Sequence, residues 1–302
     1  MPDVVILTSR DLGPSPGAWW DEQAHREDGA VGAALESRGL SVERVCWDDR
    51  CFDWRTTRAA LVRSTWDYSV RVDEFRAFLA RAGAQTMLVN PVETIRWNLD
   101  KRYLVDLSNA GLRVPPTEVL ERGSRVDLAR LLAERGWGEA VVTPAVSGAA
   151  RATFRVTAAA AASQQPALAA SLAAAAMLVP PFVAGVIAQG EVSVIVIDGR
   201  PTHAVRKVAK AGDFRVQDDH GGKVYQHAAE PDELAFAAEA LERCRHRHLY
   251  ARVDMARDAQ GRLNLIELEL IEPELFFRFQ PEAAQALAAA VERSLNGAPA
   301  RR

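Results

Sequence analysis

The chain has 302 residues and a formal net charge of −3, from 37 Lys+Arg against 40 Asp+Glu. This balance excludes a basic protein that coats nucleic acid, because backbone binding needs a clustered positive field. With 48% hydrophobic and 25% charged residues the composition is globular rather than disordered, and at roughly 150 residues per domain the length predicts about two domains.

Val4–Leu7 is a short apolar, β-branched run, the pattern of a buried strand. A helix is expected over Ala24–Arg38, stopped at Gly39 by a left-handed cap. Ser41–Val45 and Ala59–Arg63 follow as strands. Asp73–Arg81 is amphipathic, with Phe75, Phe78 and Leu79 on one face, and Met87–Val89 is a fourth strand closed by Asn90-Pro91. Strands alternating with helices predict an α/β, doubly wound parallel sheet over residues 1–95. Asn98–Ala110 reads as one helix ending at Gly111, and Pro115-Pro116 cannot extend it.

From there the chain reads as α+β. Val141-Val142 and Phe154–Val156 are short strands. Twelve alanines among the 19 positions from 158 to 176 predict a helix with a small-residue face, interrupted by a loop at Gln164-Gln165-Pro166. Glu191–Asp198 is a strong strand with a hairpin turn at Asp198-Gly199. A second turn, Arg257–Arg262, joins Tyr250–Ala256 to Leu263–Leu270. Pro281–Leu295 closes the chain as an Ala/Leu-rich helix. The expected division is 1–95, 96–184 and 185–302.

The second hairpin carries the sharpest chemical signal. Alternate strand residues share a face, so Asp254 lies with Arg252, and Glu267 with Glu269. If Arg257 pairs with Arg262, Arg252 faces Glu267, Asp254 faces Leu265, and Asp254 and Glu267 are diagonal neighbours within reach of one ion. Acids on strands this apolar are costly unless a cation neutralises them, and oxygen ligands suit Mg²⁺ rather than zinc. The alternative is an edge hairpin with a solvated face. Glu272 and Glu274, just beyond, read as surface acids.

A basic stretch holds Arg206, Lys207, Lys210, Arg215 and His220–Lys223, with interspersed glycines. It suits a segment that closes over phosphate oxygens, or equally a solvated loop. Lys101, early in the predicted helix, points either at a phosphate or into solvent. Thr65, Trp66, Asp67 and Tyr68 follow a strand where open α/β sheets bind ligands, and the two aromatics among polar groups line a small-molecule pocket or belong to a packed loop. No GxxxxGK[ST], GxGxxG or GxSxG occurs, so a P-loop, a dinucleotide fingerprint and a nucleophile elbow are all unsupported. Cys46, Cys51 and Cys244 form no CxxC pair, and Cys244–His248 reads as a solvated helix end. No apolar run approaches the ~20 residues of a membrane span, and the N-terminus lacks a signal-peptide pattern. The expectation is a cytoplasmic protein with no membrane partner, and a homodimer is the default oligomer.

Taken together, RSTWDY, NPVETIRWNLDKRYLVDL, GEVSVIVIDGRPTHAVRK, AGDFRVQDDHGG and YARVDMARDAQGRLNLIELELIEPELF resemble the ATP-grasp superfamily. The branch is that of prokaryotic glutathione synthetase and the cycloserine-forming O-ureido-serine cyclo-ligases, and RSTWDY, AGDFRVQ and ELELIEP look most like the latter. The resemblance implies an ATP-grasp fold: an N-terminal substrate domain and two α+β lobes that enclose ATP with Mg²⁺. By the same resemblance Lys101 and Arg206 meet phosphates, Lys207 stands beside the latter, Pro181, Phe182 and Val183 form the adenine hinge, and Glu191 holds the ribose. Arg215 belongs to a closing loop, Asp254, Glu267 and Glu269 hold the metal, and Thr65, Trp66 and Asp67 meet the substrate. Thr143 stands where relatives carry a phosphate-binding lysine, in VVTP, and the loop SGAARA is poor in glycine. The implied reaction is ATP-dependent activation of a small carboxylate followed by attack of an amine or aminooxy nitrogen, within one molecule in the cyclo-ligase case. The alternatives are a glutathione synthetase-like amide ligase and a nucleotide binder whose catalysis is impaired by Thr143.

Overall fold

The computed structural model describes residues 1–10, 12, 19–148, 150–217 and 220–297. Val4–Thr8 (β1), Val42–Cys46 (β2), Ala59–Ser64 (β3) and Met87–Val89 (β4) form a parallel sheet in the order β2-β1-β3-β4. β1 and β3 are buried along their whole length, as strands are when helices cover both faces. Helix Trp19–Glu36 packs on Val4, Ile6 and Leu61, and helix Val72–Gly83 on Val5, Leu7 and Val62.

Glu118–Leu120 (β5), Glu139–Pro144 (β6), Phe154–Thr157 (β7) and Met177–Val179 (β8) form an antiparallel sheet, β5-β8-β6-β7, backed by helices Leu128–Arg135 and Ala161–Ala174. Helix Ala161–Ala174 runs through Pro166, where the sequence predicts a break. Proline removes one helical hydrogen bond. Next to it, the Gln165 side chain donates to the Val126 carbonyl and accepts from the Leu128 amide, at 2.8 and 2.9 Å, and so pins this turn to its neighbour.

Glu191–Ile197 (β9), Arg200–Val208 (β10), Lys223–His227 (β11), Tyr250–Arg257 (β12) and Leu263–Glu269 (β13) form an antiparallel sheet, β11-β10-β9-β12-β13. Ile195 and Ile197 of β9 face helix Glu282–Leu295 and the parallel sheet, while Val192, Val194 and Val196 face helices Tyr103–Asn109 and Pro231–Cys244. Among the described residues no helix is long and apolar enough to cross a membrane.

The helix expected over Asn98–Ala110 begins only at Tyr103 and runs to Asn109, and a separate helix, Val92–Asn98, precedes it. Tertiary hydrogen bonds open the chain between them. The Lys101 amide donates to the Ala145 carbonyl at 2.7 Å, and the Asn98 side chain spans the Leu268 carbonyl and the Leu270 amide, both at 2.8 Å. Lys101 therefore sits in a turn, not in a helix. Cys244–His248 also differs from the solvated end expected: His248 is buried and His246 stacks on Trp97, with ring centroids 4.6 Å apart.

The parallel sheet is joined to β12 and β13 through buried polar groups rather than apolar packing alone. Asn90 is fully buried; its Nδ2 donates to the Tyr250 and Leu270 carbonyls, and its Oδ1 accepts from the Leu249 amide. The Tyr250 hydroxyl reaches the Val62 and Ile271 carbonyls, each at 2.7 Å. Asn90→Leu strands several of these groups at once, so the variant is expected to lose about 3 kcal/mol or more in urea denaturation. An unchanged midpoint would show that Asn90 does not hold the junction.

The cysteines differ in the same way. Cys51 is exposed, Cys46 is half-buried, and Cys244 lies in the core with its thiol pushed up to about 11 by burial. At pH 8 Ellman's reagent is expected to modify Cys51 fast, Cys46 slowly and Cys244 only after unfolding. Fast titration of Cys244 in the native protein would contradict this packing.

Candidate active site

The acidic hairpin forms with a register that the turn residues do not reveal. Arg257 pairs with Leu263 rather than Arg262, a one-residue shift that by itself would turn every side chain of β13 to the opposite face. A bulge beyond Met255 adds a second shift and restores the parity, so Asp254 lies directly opposite Glu267, and Arg252 opposite Glu269. The expected diagonal relation is thus a direct pairing. Oxygen atoms of Asp254, Glu267 and Glu269 lie within 4.8 Å of one another, the spacing and donor chemistry that a hard divalent cation such as Mg²⁺ requires.

Three cations face these acids. Lys207 is buried with its Nζ 2.5 Å from Glu191 and 3.1 Å from Asp254. Arg252 donates to Asp254 from Nε and Nη2, both at 3.0 Å, and also pairs with Glu269. Lys101 Nζ lies 2.9 Å from Glu267. Burial drives the Asp254 carboxyl up, but Arg252, Lys207 and a 2.6 Å bond from the Ser193 hydroxyl outweigh it and hold the group at about 2. Glu269 shows the opposite balance. Its burial, with Glu267 and Asp254 nearby, overcomes Arg252 and raises it to about 7.

Strand alternation separates Arg206 and Lys207 of β10. Lys207 shares the face of the acids, whereas Arg206 turns toward helix Pro231–Cys244. There its Nη2 meets His227 Nδ1 at 3.3 Å, and His227 Nε2 contacts Glu233 at 2.8 Å. Neither Arg206 nor Lys207 is among the residues lining the cleft; of the two, Lys207 touches the acids beside it and Arg206, expected at a phosphate, does not.

The cleft has a volume of about 900 Å³ and is walled by the two antiparallel sheets and by segments that follow the strands of the parallel one, within the span of roughly 300–1,000 Å³ usual for small-molecule sites. Pro181, Phe182 and Val183 line one end with Thr143 and Glu191, and Arg215 lines it beside Phe214. Phe182 is covered by the Arg155 guanidinium, 4.2 Å from its ring centroid, and Thr143 Oγ1 bonds Thr153 Oγ1 at 2.9 Å. Arg215 is bonded to Asp213, at 2.7 Å from Nη2. Its loop turns back tightly: a Cβ on Gly222 would lie 2.1 Å from the Val216 carbonyl oxygen. Ala149, in the SGAARA loop, lies outside the described residues.

At the other end Trp66 and Asp67 line the cleft, but Thr65 is fully buried behind them and does not reach it. The short 3-10 turn Trp66–Val70 rotates Thr65 inward. Asp67 is committed to the Trp47 indole at 2.7 Å and Arg71 at 2.8 Å. Tyr68, the second aromatic of this turn, also lines the cleft, and so does one residue missed in the sequence, Glu272, expected at the surface. The Glu272 carboxyl is raised well above the usual range by burial and by Glu269, despite the Tyr68 hydroxyl beside it. Nothing local distinguishes Glu272 from a surface acid, because the fold alone brings residue 68 to residue 272.

Comparison with known proteins agrees with this architecture. Residues 4–90 match the family model described as D-cycloserine synthetase DcsG, N-terminal domain. The chain is 32% identical over 284 residues to the cycloserine biosynthesis protein DcsG of Streptomyces lavendulae, covering 87% of this chain and 92% of that protein. Among solved structures, that of D-cycloserine synthetase DcsG is similar with a TM-score of 0.85 and 28% identity, over 97% of this chain and 99% of that one. The fold is shared with D-alanine–D-alanine ligase from Bacillus anthracis, at a TM-score of 0.68 and 14% identity over 97% and 95% of the two chains.

Proposed function

Since this chain belongs to the D-cycloserine synthetase-like family of ATP-grasp ligases, we propose that it closes a ring within one small amino-acid substrate of the O-ureido-serine type. It is an ATP-dependent ligase that forms carbon–nitrogen bonds. The observation that carries the narrower reading is the 32% identity, which extends over most of both chains and so includes both ends of the cleft.

In this reading the substrate carboxylate attacks the γ-phosphorus of ATP, the bond to the leaving ADP breaks, and an acyl phosphate results. A nitrogen of the same molecule then attacks the carbonyl carbon, phosphate leaves with the bonding pair, and the nitrogen gives up a proton. Holding both groups in one cleft makes the second step intramolecular, which favours it entropically. Residues 1–95 supply the substrate end through Trp66 and Asp67, while 96–184 and 185–302 enclose the nucleotide. Pro181, Phe182 and Val183 would border the adenine, with Glu191 beside the sugar. Lys101, Lys207 and Arg215 supply charge to phosphate oxygens. Thr143 keeps the strand but offers no charge. Asp254, Glu267 and Glu269 would hold Mg²⁺, which supplies positive charge beside the transferring group. We assign the protein to the cytoplasm on the same basis.

The test is ADP release with O-ureido-D-serine as sole substrate. Ring closure predicts ADP and a cyclic product with no second amine. A strict requirement for an added amine would instead indicate a peptide-type ligase.

A further inference from the structure

Among the described residues, every carboxylate lining the cleft has a cation within ion-pair distance except one. Asp67 is held by Arg71, Glu191 by Lys207, Glu267 by Lys101, Glu269 by Arg252 and Glu274 by Arg278. Glu272 has no such partner; the neutral Tyr68 hydroxyl lies beside it, and Arg252 and Arg63 act on it only through space. Both guanidiniums are bound to other groups, although Arg63, which shares a small recess with Glu272, keeps its Nε and Nη1 buried without a partner among the described residues. Arg252 is bound to Asp254 and Glu269, and Arg63 Nη2 to Glu27 and the Pro273 carbonyl, both at 2.9 Å.

The position is as telling as the missing partner. Glu272 lies in the segment leaving β13, three residues after Glu269, and shares a small recess with Trp66. A substrate carboxylate reacting beside Glu267 and Glu269 would therefore bring the group on its neighbouring carbon toward Glu272. A shielded carboxylate with no cation in contact is costly, and a ligand ammonium would supply both the charge and charge-assisted hydrogen bonds.

We infer that Glu272, backed by Tyr68, is a specificity-determining residue that holds the free ammonium of a zwitterionic amino-acid substrate. The inference deepens the reading of the cleft given above and rests on its assignment of the Trp66 end to the substrate. It narrows the substrate class to carboxylic acids with an unblocked amino group. It also removes that group from the ring-closing step, since an ammonium has no lone pair and the ring must close through another nitrogen.

The test compares O-ureido-D-serine and a panel of free amino acids with their N-acetyl derivatives, in the wild type, Glu272→Gln and Glu272→Asp. ADP release is followed, with calorimetric binding for compounds that are not turned over. The wild type is expected to prefer each free amino acid it accepts by 100-fold or more over its N-acetyl form. E272Q should raise KM for the free form about 30- to 100-fold, with kcat changed less than threefold and KM for ATP unchanged, and E272D should recover part of the loss. Equal acceptance of free and acetylated forms overturns the inference. So does a parallel rise in KM for ATP, or a panel in which no free amino acid is bound or turned over. If E272Q does not fold, the wild-type preference and the E272D parameters decide. Should O-ureido-D-serine fail while other free amino acids are accepted over their acetyl forms, the ring-closure substrate is wrong and the role of Glu272 stands.

Discussion

Replacing Lys207 with methionine lowers the stability of the fold by about 3–5 kcal/mol and abolishes ATP turnover. The Lys207 ammonium lies between Glu191 and Asp254, which are buried on the same face of the sheet. Methionine fills a similar volume but leaves the two carboxylates with Arg252 as their remaining close cation. Burial already raises Glu191 with Lys207 in place, and without it Glu191 is held further above its unfolded value, while Asp254 loses one of the two cations that hold it low. A group whose folded pKa is raised contributes stability below its unfolded pKa and loses it as pH rises through the folded one. The deficit is therefore smaller at pH 5.5 than at pH 8. Urea denaturation at both values reads this directly. Glu191→Gln in the Lys207→Met background should recover part of the stability and none of the turnover. An equal deficit at both pH values would refute the account of Lys207 as the counter-charge.

Glu267→Gln is expected to lower kcat/KM by about 10²–10³-fold at saturating ATP. The substitution removes one of three oxygen donors clustered on the hairpin and deprives Lys101 of its partner. Because the amide keeps the side-chain size, the fold should keep most of its stability, and that separates this variant from Lys207→Met. Raising Mg²⁺ well above its usual excess over ATP should restore part of the rate, since Asp254 and Glu269 remain. A rate that is unchanged, or a loss indifferent to Mg²⁺, would show that the metal lies elsewhere. Steady-state kinetics across a Mg²⁺ series decides between them.

Much of this molecule was legible along the chain because local patterns have local causes. Apolar runs such as Val4–Leu7 can only be buried strands, and Glu191–Asp198 reads as a strand whichever neighbours it finds. Period-two alternation identified Asp254, Glu267 and Glu269 as acids on apolar strands, and that inference did not require the register. The register itself was not legible. It depends on where the turn closes and on a bulge beyond Met255, and two one-residue shifts cancel in their effect on which face the acids occupy. Lys101 was assigned to a helix because helix propensity favours one through that stretch, whereas a hydrogen bond to Ala145 holds it in a turn.

The chain read residue by residue shows which groups are available: three hairpin acids, a basic stretch and an α/β domain to supply a third wall. Their roles follow from the three-dimensional fold. It placed Lys207 rather than Arg206 among the acids, because β10 pairs Lys207 with Glu191. It buried Thr65, committed Asp67 to Trp47 and Arg71, and turned Glu272 from an apparent surface acid into the cleft carboxylate facing Tyr68. The physical reason is that a carboxylate's function depends on which cation lies within a few ångströms, and here those partners come from strands and turns far apart in the chain.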